Sequence, residues 1–141
     1  MRYVLDSSVA LKWVLPEADS TKALALRTDF QATVHELLSP DIMPVECGHA
    51  LTRAERRGII AVGDAELHLV NILSSSPQLQ PHLPLLRRAI AISSSARLGV
   101  YDCLYVALAE QEKCEFVTAD DRLIKNLQTQ FPFIRSLASL P

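Results

Sequence analysis

Four carboxylates in this chain stand where a carboxylate is costly. Asp6 closes the apolar run Tyr3-Val4-Leu5, and Asp120 follows Phe116-Val117-Thr118-Ala119. Glu46 and Asp102 lie in, or open, apolar runs with helical spacing. An isolated acid is rarely tolerated in a core unless it is paired or metal-bound. If the four converge, they form a cage of oxygen donors for hard cations such as Mg2+ or Mn2+. Such cations activate water and stabilise a leaving oxygen, which is the chemistry of phosphodiester hydrolysis. Carboxylates held about 4 Å apart repel and raise one another's pKa, and a cation relieves this.

Other candidates are weaker. Ser8 follows Asp6 by two positions, where it can serve the site or cap a helix. Thr118 precedes Asp120 by two and shares its face while strand periodicity persists. Arg53 and Arg57 fall on one helical stripe with Glu46 and Ala50, spaced 4, 3 and 4 from the acid. That stripe offers two cations to an RNA backbone, or only a solvated polar face. Met43, Cys47, Ala50 and Ala54 are expected on the buried side. His49 reads as a surface or packing residue, and Trp13 and Tyr105 as core or partner contacts rather than base-stacking platforms. The four histidines lack zinc-like spacing to cysteine. Cys47, Cys103 and Cys114 are odd in number without a C-x-x-C pair, so neither a disulfide framework nor a thiolate metal site is expected.

The elements that must position these groups follow from patterning. Arg2–Leu5 reads as a first central strand, then a helix from Ser7 or Ser8 to Leu15, stopped by Pro16. A second helix runs from the Glu17–Ser20 turn towards Val34. Glu36–Ser39 is a strand, and Pro40-Asp41 opens a helix to Arg57, ended by Gly58. A helix from Gly63-Asp64 reaches Leu73. Leu79–Leu83 holds a brief strand, and Pro84 starts a helix that Gly99 ends. Asp102 caps or enters the next helix, to about Gln111. Glu115–Thr118 is the clearest later strand, Asp120–Gln128 a short helix, and Phe133-Ile134 an edge strand. Short strands alternating with helices imply a mostly parallel sheet covered on both faces. Ligands of such sheets gather beyond the carboxyl ends of the strands, where Asp6 and Asp120 fall.

The chain has 141 residues, 49 % of them hydrophobic and 21 % charged, which suits one globular domain over residues 1–141 and excludes disorder. No apolar run is long enough to span a membrane. The start reads as a strand rather than a signal peptide, so a cytoplasmic location is expected. The net charge of −2 is unusual for a nucleic-acid binder, but bound cations would offset the acids.

Four segments together resemble the PIN-domain ribonucleases, and within them the toxins of VapC type. Tyr3-Val4-Leu5-Asp6-Ser7-Ser8-Val9-Ala10 is similar to the family's first motif, with serine at position 7 where threonine is commoner. Asp41 to Leu51, containing Glu46, resembles the second, departing at Gly48 and His49. Tyr101-Asp102-Cys103-Leu104-Tyr105-Val106-Ala107-Leu108-Ala109 resembles the third, with Cys103 where alanine is common. Val117-Thr118-Ala119-Asp120-Asp121-Arg122-Leu123 resembles the fourth. The resemblance spans almost the whole chain, in order. It implies a three-layer α/β/α fold with about five parallel strands. It also implies a site of Asp6, Glu46, Asp102 and Asp120 supported by Ser8 and Thr118, with Mg2+ or Mn2+ as cofactor. The implied activity is endonucleolytic RNA cleavage leaving a 5′ phosphate on one product. The implied partners are a second copy of the chain and a small antitoxin whose tail lies along the site groove, commonly with a basic residue in the acidic pocket. From the residues alone, a metal-dependent nuclease or phosphoesterase acting on DNA or another phosphate ester remains open. So does a non-catalytic scaffold that binds nucleic acid or protein. Val62–Leu73 and Leu79–Leu86 are expected to be either a dimer interface or core.

Overall fold

The computed structural model describes residues 1–141. Five strands form one sheet in the order β3-β2-β1-β4-β5, and every pairing is parallel. They are β1 (Arg2–Leu5), β2 (Glu36–Pro40), β3 (Gln78–Gln80), β4 (Glu115–Thr118) and β5 (Ile134–Ser136). The helices are α1 (Ser7–Leu11), α2 (Ser20–Gln31), α3 (Met43–Arg56), α4 (Asp64–Leu73), α5 (Leu83–Ala96), α6 (Val100–Glu112) and α7 (Asp121–Leu127), followed by a 3-10 turn at Leu137–Ser139. This is the expected α/β/α arrangement.

The sheet centre is apolar on both faces, as parallel sheets require. Tyr3, Val4 and Leu5 are buried, as are Phe116 and Val117 of the neighbouring strand. Above them α6 is buried at every residue from Cys103 to Ala109, so it is an interior helix with no solvated side there. It packs on β1, β2 and β4 and is covered by α5. One cluster of 35 buried residues joins sheet and helices.

Several boundaries differ from the sequence reading. α1 ends at Leu11 rather than Leu15, because Lys12 to Leu15 form turns that lead into Pro16. α3 begins at Met43, not Pro40-Asp41: Pro40 finishes β2, and Pro44 is the proline in the first helical turn. Gly58 follows α3 with φ +72°, as expected of a residue just past a helix end. α5 is closed by Arg97, in the left-handed region at φ +58°, whereas Gly99 is extended and caps α6. β3 falls on Gln78–Gln80, a polar edge strand that hydrophobic patterning undervalues. No helix is long and apolar enough to cross a membrane.

Candidate active site at the sheet edge

From β1 the chain first builds one side of the sheet, through β2 and β3. It then crosses to the other side at β4. The switch point therefore lies between β1 and β4, and the crevice beyond their carboxyl ends is the expected ligand position. Val4 pairs with Phe116 and Leu5 with Val117, so Asp6 and Thr118 leave the sheet side by side. α3 delivers Glu46 from its first turn, and α6 delivers Asp102 from its own first turn.

Asp6 is 6 % exposed and held by two hydroxyls. Ser8 Oγ donates to its Oδ1 at 2.5 Å and Thr118 Oγ1 donates to its Oδ2 at 2.6 Å. Each hydroxyl also accepts a backbone N–H from the segment after β4: Ala119 onto Ser8 at 2.9 Å, and Asp120 onto Thr118 at 3.1 Å. The two hydroxyls thus lock the end of β1 to the end of β4 through the Asp6 carboxylate. Neither Ser7 nor Ser8 caps α1; the cap position is Asp6 itself, with no side-chain capping bond.

Asp120 has a structural task as well. It is the N-cap of α7, and its Oδ1 accepts from the N–H groups of Arg122 (3.0 Å) and Leu123 (3.2 Å). Glu46 Oε1 accepts from Tyr105 Oη at 2.5 Å. Tyr105 is 1 % exposed and stacks on Phe116, ring centroids 5.9 Å apart and planes 8° apart. It is therefore no base-stacking platform, and neither is Trp13, whose buried Nε1 donates to Ala23 O. The link from Tyr105 to Glu46 was invisible in the sequence, where the two lie 59 positions apart.

Electrostatics tie the acids into one patch. Burial pushes the Asp6 pKa up to about 7, against the two hydroxyl donors, and the Asp102 charge adds to the rise. Glu46 is raised by burial and by Asp102, with the Tyr105 hydroxyl opposing. Asp102 is raised by burial and by Asp120, with Arg122 opposing. Asp102 is the common neighbour of the other three. Burial also pushes the Cys47 thiol up to about 12 and the Cys103 thiol up to about 11, so neither is a thiolate near neutrality.

The donor chemistry suits a hard cation: all oxygen, several negative charges, and further lone pairs open on Asp6 beyond those its hydroxyl partners use. The spacing is looser. No three His, Cys, Asp or Glu side chains, here or elsewhere, are gathered tightly enough to hold a metal ion as placed.

Beside the acids opens a cleft of about 720 Å3. Glu46, Ala50 and Arg53 line it from α3, as the helical stripe predicted, with Ile42, Val45 and His49. Ser7 and Tyr101 complete it. Arg57 does not line it; it lies at the exposed end of α3. Ala50 is half-buried because it faces this cleft, and Leu51 takes the buried place expected for it. His49, read from sequence as a surface or packing residue, is exposed on the cleft wall, where its Nε2 meets Arg53 Nη2 at 3.1 Å. Tyr101 was missed as a candidate. The available signal was a large aromatic directly before an isolated acid.

The sequence model of the PIN domain matches residues 3–127. The chain belongs to the PIN domain family. The VapC ribonuclease Mb0985 of Mycobacterium bovis is 30 % identical over 129 residues, covering 92 % of this chain and 94 % of that protein. Ribonuclease VapC9 of Mycobacterium tuberculosis matches equally, and Ribonuclease VapC3 of Pyrobaculum aerophilum is 29 % identical over 125 residues, 87 % of this chain and 92 % of that one. These relatives place the chain among the VapC-type PIN domains. The crystal structure of PAE2754 from Pyrobaculum aerophilum superposes with a TM-score of 0.70 at 23 % identity, over 99 % of this chain and 94 % of that one, and shows the same fold.

Proposed function

We propose that this PIN domain is a metal-dependent endoribonuclease and the toxin of a toxin–antitoxin pair. The observation that carries the reading is geometric: Asp6 leaves β1 beside Thr118 at the end of β4, and the first turns of α3 and α6 carry Glu46 and Asp102. Burial first, and then a neighbouring acid, raises the pKa of Asp6, Glu46 and Asp102. Ribonuclease is the activity named for the curated relatives at about 30 % identity, which favours RNA over DNA or a simple phosphate ester.

Asp6, Glu46, Asp102 and Asp120 would hold Mg2+ or Mn2+. A bound ion would lower the pKa of its coordinated water and supply counter-charge for the leaving oxygen. The chain's own residues do the rest. Ser8 and Thr118 fix both oxygens of Asp6. Tyr105 fixes the Glu46 carboxylate. Asp120 is held by the first turn of α7. Arg53 offers a cation to substrate phosphate from the cleft wall. Arg57, further along α3, offers a second one outside it.

A small cognate antitoxin and a second copy of the chain are the proposed partners. Leu67, Val70 and Leu73 of α4 are exposed, as are Val62 before it and Leu83 at the start of α5. Ala65, Ile72 and Leu85 from the same two segments are core. The exposed set is the proposed dimer surface, and light scattering over a range of concentrations tests it.

The deciding experiment incubates purified protein with RNA, DNA and a simple phosphate ester, with Mg2+ or Mn2+ and with chelator. RNA alone is cut, only with divalent ion, and Asp102→Asn abolishes cutting while leaving the circular dichroism spectrum unchanged. Full turnover by Asp102→Asn, or equal turnover in chelator, defeats the proposal.

A further inference from the structure

The cleft beside the acids has features that the four carboxylates do not use. Tyr101 is 63 % exposed, and its hydroxyl makes no hydrogen bond within the chain. It opens the same helix turn that carries Asp102. Across the cleft, Ile42 and Val45 present apolar surface, and Val45 is 74 % exposed. Arg53 completes the wall; its Nη2 meets His49 Nε2, and it forms no ion pair with a carboxylate. Glu46 belongs both to this cleft and to the acidic patch. The volume is in the range of pockets that take one small molecule.

We infer that the cleft seats one unstacked nucleotide of the RNA, its base lying on Tyr101 and Val45 and its phosphate on Arg53. This inference rests on the ribonuclease reading and names the substrate contact nearest the scissile bond. The Tyr101 ring and the Val45 side chain beside a guanidinium free of any carboxylate match a nucleobase and its phosphate. Single-stranded RNA is read by splaying bases onto aromatic rings. Arg53 is the cleft's own cation for an anion. Seating a nucleotide beside Glu46 would bring the neighbouring phosphodiester to the acids. Tyr101 would then set which strand geometry is cut, through stacking rather than through a base-specific hydrogen bond.

The test measures cleavage of a short single-stranded RNA in Mn2+ by wild type, Tyr101→Ala and Tyr101→Phe, with each RNA position made abasic in turn. Stacking on an aromatic is worth about 5- to 150-fold per base. Tyr101→Ala loses kcat/KM in that range and Tyr101→Phe recovers it. One abasic position costs the wild type a similar factor and costs Tyr101→Ala nothing further. Undiminished kcat/KM in Tyr101→Ala, or losses that multiply at every abasic position, overturns the nucleotide seat while wild-type cleavage keeps the ribonuclease reading intact. Unchanged cleavage combined with weakened inhibition by the antitoxin assigns the cleft to the protein partner and also overturns it. A wild type that cuts no RNA removes the ribonuclease reading and this inference together.

Discussion

Replacing Asp6 by asparagine should make the metal-free protein more stable near neutral pH, although Asp6 sits at the centre of the proposed site. The pKa of Asp6 rises from 3.8 to about 7 on folding, chiefly through burial. In the unfolded chain the carboxyl ionises near its ordinary value; in the folded chain it keeps its proton until about 7. Between those two values the native state binds more protons, so stability falls as pH rises. Below about pH 4 both states are protonated and the term vanishes; above about 7 it is complete. Some three pH units at 1.36 kcal/mol each make the penalty about 4 kcal/mol. Asparagine carries none of it and keeps the shape, and the Ser8 and Thr118 hydroxyls can donate to its carbonyl or turn to accept from its amide. Urea unfolding in EDTA at half-unit steps from pH 4 to 8.5 reads the effect directly. Wild-type stability should decline by up to about 1.4 kcal/mol per pH unit relative to Asp6→Asn, with the gap levelling above pH 7. On the proposed function Mn2+ added at pH 8 should narrow the gap, since the ion would stabilise the folded wild type more than the variant. Parallel pH profiles for the two proteins would refute the premise that Asp6 is an uncompensated buried acid.

Asp120 separates its two tasks by substitution. Asp120→Asn keeps the α7 cap and loses RNA cleavage at nearly native melting temperature, whereas Asp120→Ala loses cleavage and about 1 kcal/mol of stability, read by thermal unfolding. Tyr105→Phe removes the donor to Glu46 while keeping the stack on Phe116. A hydrogen bond to a charged group is worth about 1.5–3 kcal/mol, so calorimetry should show Mn2+ affinity weakened by up to that amount and cleavage reduced in step; unchanged affinity would limit Tyr105 to packing.

What the sequence revealed and what it hid follow one physical division. β1 and β4 were legible because their residues are buried on both faces and so form unbroken apolar runs. The four acids were legible because each interrupts such a run. Helix ends were less so: two prolines close to the start of α3 each fit a first turn, and only the pairing of Pro40 with Gln80 in the sheet assigns the first of them to β2. The Tyr105–Glu46 bond and the closure of Asp6 by Thr118, 112 positions away, are tertiary contacts with no local pattern. The cleft was half-legible. Helical spacing put Arg53 beside Glu46, but Tyr101 arrives from another helix, and Arg57 lay on the right stripe one turn too far along.

The couplings among the acids have a shape that matters for function. Asp102 acts on Asp6 and on Glu46, and Asp120 acts on Asp102. Asp102 is thus the one acid whose charge bears directly on both Asp6 and Glu46. A single positive group placed against it would cancel the part of the rise at Asp6 and Glu46 that comes from Asp102, leaving the larger part due to burial. On the proposed function, a divalent ion and a basic side chain of the antitoxin would both be drawn to these acids and would compete there. The fold, for its part, spends stability to bury Asp6 between two hydroxyls at the switch point of the sheet. That cost would be recovered only when a cation binds, so affinity for the cation and tolerance of the buried charge are one free energy viewed from two sides.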